Sequence, residues 1–408
     1  MRRSVLHIGY RFLVVCLFIS ILVFVSKITG YAEDVRGVTD DTIKIGVIAD
    51  LTGPTAVDIS APVVASFKLF YWHTNEQGGI NGRKIKLIVE DDRYSIPIAM
   101  GAFKKLVFKD KIFALHGPLG SGASIALLGQ VEKNEIPQIN YASSKKVLVP
   151  IKRCIFTGVG LYDDDIKLIF EHIFENMKEK PSVVGIVYPD HEVGKIAQRA
   201  ALVEAKRYGV KLHQEILNLG STDATSQVLN LKRKKIKHII IQETPAAVVA
   251  LLRSAYKLGL SAKYYGTLVS TNEDIIDMGG KAVKDFMGFH PFSAWYEDTP
   301  GTNKMRELSR RYYKKDTPYR SRLCTIGHLG GMILNEGIKK AGMDLNNKSL
   351  IGALESIKNL DTHGISGPVS YSETDHQGIE TRKFYRVDME KKIFVAISDW
   401  IRPKYRDD

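Results

Sequence analysis

Residues 43–92 constrain the fold more than any other stretch of the chain. Ile43-Lys44-Ile45-Gly46-Val47-Ile48-Ala49 is an apolar, β-branched run that leads into Asp50-Leu51-Thr52-Gly53-Pro54. A long helical stretch follows and stops at Gly78-Gly79-Ile80-Asn81-Gly82. A second apolar run, 85–89, then ends in Glu90-Asp91-Asp92. Strands that are hydrophobic on both faces need a cover on each side, and a helical crossover supplies one of them. The stretch reads as a parallel β-α-β unit.

The alternation continues. Strands are expected at 43–49, 84–90, 112–116, 136–140, 183–188, 210–217, 238–242 and 264–268, with helices at 61–76, 98–109, 122–134, 166–178, 193–208 and 246–258. This is the pattern of an α/β fold with parallel sheets covered by helices on both faces. Gly78-Gly79, Tyr208-Gly209 and Leu258-Gly259 punctuate the helix ends. Four strands run up to Tyr141, residues 145–165 are irregular, and the series restarts at Val183, which suggests two similar lobes. After Gly288 come two helical patterns, 302–315 and 324–341, and short strands near 368–371, 384–388 and 393–397. A chain that starts a second lobe and then adds helices is expected to cross back to the first.

Residues 1–32 read as an export signal. Arg2, Arg3 and Arg11 form a basic head, 12–25 is an apolar core, and Gly30-Tyr31-Ala32 offers small residues for cleavage. The apolar core is short against the ~20 residues of a membrane span, although an uncleaved anchor is the alternative. Val15 stands before Cys16 where a lipoprotein signal has a small residue. The segment carries four basic and no acidic residues, so its removal leaves 376 residues and lowers the formal charge from +13 to +9. That excess is spread out, as in Lys104-Lys105 and Lys232-Arg233-Lys234-Lys235. It forms no basic stripe interleaved with aromatics, so nucleic acid is not an expected partner. Cys154 and Cys324 remain; an oxidising compartment permits a bridge between them, and neither belongs to a C-x-x-C motif.

Ligands of open α/β sheets lie beyond the carboxyl ends of the strands, where helix N-termini offer free N–H groups. Two loops fit: Gly117-Pro118-Leu119-Gly120-Ser121-Gly122-Ala123-Ser124 and Asn140-Tyr141-Ala142-Ser143-Ser144. The first has P-loop glycine spacing, but Ala123 stands where a phosphate-binding Lys belongs. Gly122 to Ala126 lacks the last glycine of a nucleophile elbow, and no ordered Ser–Asp–His series includes His116. His191-Glu192 has no second His at helical spacing, and Asp163-Asp164-Asp165 reads as acidic capping. Glu90-Asp91-Asp92 reads either as paired carboxylates or, more simply, as strand-end residues that cap and pair. Neither enzyme chemistry, a metal nor a cofactor is expected.

Asp50 to Pro54, Asn75 to Gly82, Glu90-Asp91-Asp92, the 117–124 loop, and Ile136-Pro137-Gln138-Ile139 followed by Ala142-Ser143-Ser144 resemble the branched-chain amino acid binding proteins of ABC importers. The resemblance continues through 183–194, 251–259 and Gly367-Pro368. It implies a type I periplasmic binding protein fold: two doubly wound parallel-sheet lobes joined by a three-crossover hinge. Lobe one would hold 33–161 plus 291–375, and lobe two 162–290 plus 376–408. In such proteins hydroxyls and backbone groups of lobe one hold a ligand carboxylate. The matching positions are Ser121, Ala142, Ser143 and Ser144. An acid of lobe two usually meets the ligand ammonium, yet Leu268 falls at that position, and Val193 falls where an aromatic often closes the site. Asp190, Glu192, Glu243 and Glu273 are near enough in the pattern to substitute, or the ligand is a carboxylate without an ammonium. Asp58 or Ile59 stands where relatives often present an aromatic.

The expected role is a periplasmic, monomeric solute-binding protein that clamps an amino acid or related small carboxylate and delivers it to an ABC importer permease. A sensor using the same clamp is the alternative, and a hydrolase using Ser121 or Ser124 is the third reading.

Overall fold

The computed structural model describes residues 35–319 and 321–405, so the export segment and Cys16 lie outside the described residues. Five strands, β1 (Thr42–Ala49), β2 (Lys84–Asp91), β3 (Ala114–His116), β4 (Gln138–Asn140) and β5 (Ile155–Thr157), form an all-parallel sheet in the order β2-β1-β3-β4-β5. Seven more form the second sheet: β6 (Val183–Tyr188), β7 (Lys211–Ile216), β8 (His238–Ile241), β9 (Lys263–Gly266), β10 (Phe286–His290), β11 (Lys383–Asp388) and β12 (Ile393–Ala396). Their order is β12-β11-β10-β9-β8-β6-β7, parallel from β7 to β10, with β11 and β12 antiparallel at the edge. Strand order reverses between β1 and β3 and again between β6 and β8, the switch points where such sheets open a crevice.

The first sheet borrows its cover from far along the chain. Helix Leu323–Ala341 packs on helix Ala61–Glu76 so closely that a Cβ at Gly327 would lie 2.3 Å from the Val63 carbonyl oxygen. At Gly330 a Cβ would lie 1.9 Å from Tyr141 Oη, so only glycine admits this approach.

The chain passes between the two sheets three times: after β5, after β10, and before β11. The crossing segments are bonded to one another. Thr157 N–H donates to the His376 carbonyl (3.0 Å), Tyr371 Oη donates to the Thr157 carbonyl (2.6 Å), and Ser293 N–H donates to Ile365 (2.7 Å). Arg382 ties the third crossing to the first. Its Nε donates to Asp165 Oδ1 at 2.6 Å and its Nη2 to the Leu161 carbonyl at 2.9 Å. Both charged side chains are fully buried.

Several elements depart from the sequence reading. Helix Tyr162–Glu171 begins earlier than expected, so Asp163, Asp164 and Asp165 lie inside its first turn, and two of them face Arg382 rather than capping from outside. Residues expected to be irregular contain β5, and β10 and helices Thr225–Arg233 and Asn347–Glu355 were not anticipated. The strand expected near 368–371 is reduced to a single bridge between Val369 and Leu360. Cys154 and Cys324 are both free and buried.

Removing one partner of a buried ion pair leaves the other uncompensated, at a cost of about 3–5 kcal/mol. Arg382→Ala is expected to lower the urea unfolding midpoint accordingly. A change near zero would show that this pair does not hold the crossings together.

Candidate functional site

The carboxyl ends of both sheets converge on a partly open cavity of about 90 Å³. On the first-sheet side, Asp50 shapes the turn after β1. Its Oδ1 accepts from Gly53 N–H at 2.5 Å, and its Oδ2 accepts from both Thr55 N–H and Thr55 Oγ1 at 2.8 Å. Asp91 accepts from Leu51 N–H (2.9 Å) and Thr52 Oγ1 (2.6 Å), and Asp92 accepts from Tyr94 N–H at 2.9 Å. Burial, with Asp50 and Asp91 close by, pushes the Asp92 carboxyl up to about 6. These acids organise turns and so bring Thr55, Ile59 and Tyr94 to the cavity wall.

After β3, Gly117 has φ of +100°, and a Cβ there would lie 2.6 Å from the Ile48 carbonyl oxygen, so the chain can turn toward Ser121 only with glycine. Ser121 opens helix Ser121–Lys133 and lines the cavity. Ser124 Oγ donates to the Pro118 carbonyl at 3.0 Å. His116 lies between Tyr71 Oη (2.7 Å) and Tyr141 Oη (3.0 Å), so its ring nitrogens meet tyrosines rather than a serine of this loop. After β4, Asn140 Oδ1 accepts from Ala142 N–H at 2.8 Å, Tyr141 and Ser143 line the cavity, and Ser144 Oγ instead accepts from Lys146 N–H at 3.3 Å.

The second sheet supplies the facing wall. Val193 follows β6, Gln242 and Glu243 follow β8, and Leu268 follows β9. Thr267 Oγ1 donates to Gln242 Oε1 at 2.5 Å, and the buried Gln242 amide nitrogen finds no acceptor. Leu268 N–H donates to Asp165 Oδ2 at 2.8 Å, which ties this wall to the buried Arg382 pair. Ser270 Oγ receives Glu243 N–H at 2.8 Å and holds the backbone there. The Glu243 side chain is 1% exposed, and neither carboxyl oxygen has a hydrogen-bond partner. Desolvation pushes this carboxyl up to about 9, against a smaller opposing effect of the Thr244 backbone N–H.

Of the residues singled out from the sequence, the fold brings Ser121, Ser143, Val193, Glu243 and Leu268 to one cavity. Ala142, Ser144 and Asp190 do not line it, and Asp190 pairs with Lys195 at 2.8 Å on the surface. Ile59, rather than Asp58, takes the wall position. Tyr94, Tyr162 and Gln242, and Leu323 and Ile326 from the late helix, went unmarked. Strand-end position alone pointed to Gln242, whereas nothing local marks Leu323. The mouth is bridged from one side to the other: the Tyr94 and His191 rings stack at 5.3 Å, and Lys146 Nζ lies 2.9 Å from Glu192 Oε1.

Burial holds His116 neutral, pushed from 6.5 down to about 3. The unfolded chain therefore takes up more protons between these values. The stability this group confers is complete above about 6.5 and is lost as pH falls toward 3. The urea midpoint of His116→Gln is expected to fall less steeply than that of the parent over this window. Parallel slopes would show that His116 does not titrate this way.

The sequence pattern of the family described as periplasmic binding protein matches residues 42–392. The leucine-, isoleucine-, valine-, threonine-, and alanine-binding protein of Pseudomonas aeruginosa is 22% identical over 317 residues, covering 77% of this chain and 82% of that protein. A branched-chain amino acid ABC transporter structure from Thermus thermophilus with bound valine superposes with a TM-score of 0.83 at 20% identity, covering 90% of this chain and 98% of that one. A fatty acid ABC transporter substrate-binding protein from Thermomonospora curvata gives 0.81 at 22% identity, covering 91% and 95%.

Proposed function

Since the pattern spans residues 42–392, the chain belongs to the periplasmic binding protein family, and we propose that it is the solute-binding component of an ABC importer. In this reading residues 1–32 direct export to the periplasm, where the mature chain acts as a monomer without enzymatic activity. Lobe one, 33–161 plus 291–375, and lobe two, 162–290 plus 376–408, close on an amino acid or related small carboxylate. The closed form is then presented to the membrane permease.

The observation that carries this reading is the cavity walled by strand ends of both sheets, whose two sides are bridged by Tyr94–His191 and Lys146–Glu192. At about 90 Å³ it has room for roughly three waters at the ~30 Å³ each occupies in the liquid. That suits a small solute rather than a peptide. Val63, Leu119, Val159, Val193, Leu268 and Ile326 give it an apolar body. Ser121 and Ser143, beside the free N–H groups that start helix Ser121–Lys133, suit a carboxylate. Among the described residues no helix is long and apolar enough to cross a membrane.

Two measurements test the clamp. Saturating ligand is expected to lower the radius of gyration in solution scattering, since closure is a hinge motion; identical profiles would sink the mechanism. Ser143→Ala is expected to weaken ligand binding roughly 10- to 100-fold, the scale of one hydrogen bond to a charged group. Ser144→Ala, which removes the cap on Lys146, should change it less. The reverse order in calorimetry would move the carboxylate site to Ser144.

A further inference from the structure

Four acids of the second-sheet side are candidates to meet a ligand charge, and three are already occupied. Asp190 pairs with Lys195 at 2.8 Å. Glu192 pairs with both Lys146 and Arg199 at 2.9 Å. Glu273 pairs with the buried Arg322 at 2.8 Å. Glu243 alone of these lines the cavity, and it is the one whose two carboxyl oxygens have no partner. A buried polar group left unpaired costs free energy that a ligand can recover by bonding to it.

The position of Glu243 adds a second argument. It follows β8, on the wall facing Ser121 and Ser143 of the first-sheet side. The cavity thus has a hydroxyl pole on one wall, a lone carboxyl on the other, and apolar side chains between. Leu268, at the end of the neighbouring β9, contributes only its apolar side chain and an N–H already given to Asp165.

We infer that Glu243 is the counter-charge for a ligand ammonium, so that this site takes small apolar amino acids in their zwitterionic form in preference to plain carboxylates. The inference rests on the cavity being the solute site. The ligand carboxylate lies toward Ser121 and Ser143 and its ammonium toward Glu243, so closure brings both poles onto one molecule. The Glu243 carboxyl, protonated in the empty protein at neutral pH, releases its proton to solvent as the ammonium arrives, and a ligand without the ammonium leaves it unsatisfied. A ligand without the carboxylate forgoes the hydroxyl pole. The acid that selects the ligand stands at the end of β8, and the end of β9 becomes part of the apolar wall.

Titration calorimetry of residues 33–408 at neutral pH tests this with three probes: leucine, its deaminated analogue 4-methylpentanoate, and its decarboxylated analogue 3-methylbutylamine. Leucine is expected to bind at least tenfold tighter than 4-methylpentanoate. Glu243→Gln, nearly the same shape but unable to ionise, should abolish that preference while leaving the melting temperature of the empty protein undiminished. Asp190→Asn, at a surface acid that pairs with Lys195 outside the cavity, serves as a second variant and should retain the preference. Equal or tighter binding of 4-methylpentanoate by the parent would overturn the ammonium assignment and leave the solute-binding reading standing. An amine preference that survives in Glu243→Gln would overturn the role of this residue. If none of the three probes binds at millimolar concentration, the proposed ligand class fails, and thermal unfolding against a wider solute panel then decides separately whether the solute-binding reading fails too.

Discussion

Arg382 reaches from the last crossing into the first turn of helix Tyr162–Glu171, where its guanidinium and the Asp165 carboxylate share a site without exposure to water. Two charges removed from solvent are costly unless their remaining donors and acceptors are also used. Here the surroundings use them. Arg382 also donates to the carbonyls of Leu161 and Thr381, and Asp165 Oδ2 accepts the Leu268 N–H. The pair therefore joins the first crossing, the last crossing and the end of β9 in one network. A Cβ at Gly160 would lie 2.3 Å from Arg382 Nη2, so the backbone of the first crossing must pass directly against the guanidinium. The cavity wall at Leu268 inherits its position from this arrangement.

A second buried pair acts in the same way on the opposite flank. Arg322 precedes helix Leu323–Ala341, and its Nε donates to Glu273 Oε1 at 2.9 Å while the guanidinium lies 4.2 Å from the Tyr385 ring centroid. The helix it leads carries Leu323 and Ile326 into the cavity. Apolar walls are thus fixed by charged groups lying behind them, and the polar groups that reach the cavity itself are few. Such a division, a rigid apolar enclosure with a small number of oriented polar groups, is what selective small-molecule sites require.

Much of the fold was legible because β1, β6 and β8 are buried and nearly continuous in apolar residues, and because glycines mark the helix ends. The elements that were missed are short or mixed. β5 is only Ile155-Phe156-Thr157, β10 has Gly288 at its centre, and helix Thr225–Arg233 has just two buried residues, Val228 and Leu231. The site was legible to the level of the loop but not of the residue. Strand ends pointed to 117–124 and 140–144, yet the choice between Ser143 and Ser144 depends on where Lys146 N–H lies. Glu243 could be named among several acids, but its lack of a partner became visible only when Asp190, Glu192 and Glu273 had found theirs. Leu323 and Ile326 reach the cavity through tertiary packing that no local pattern encodes.

The contacts that bridge the mouth have an energetic meaning of their own. Lys146 is half exposed where it meets Glu192, and pairs of that kind contribute only about 0–1 kcal/mol. The stacked rings of Tyr94 and His191 are both only partly buried. Neither holds the two walls together in the way that the buried Arg382 pair holds the crossings. In the proposed clamp the shut state is thereby balanced near the open one, and what occupies the space between the walls sets its population. A ligand shifts that balance only by the difference in its affinity for the two states, so a weak clasp makes occupancy itself the quantity that the outer shape of the protein reports.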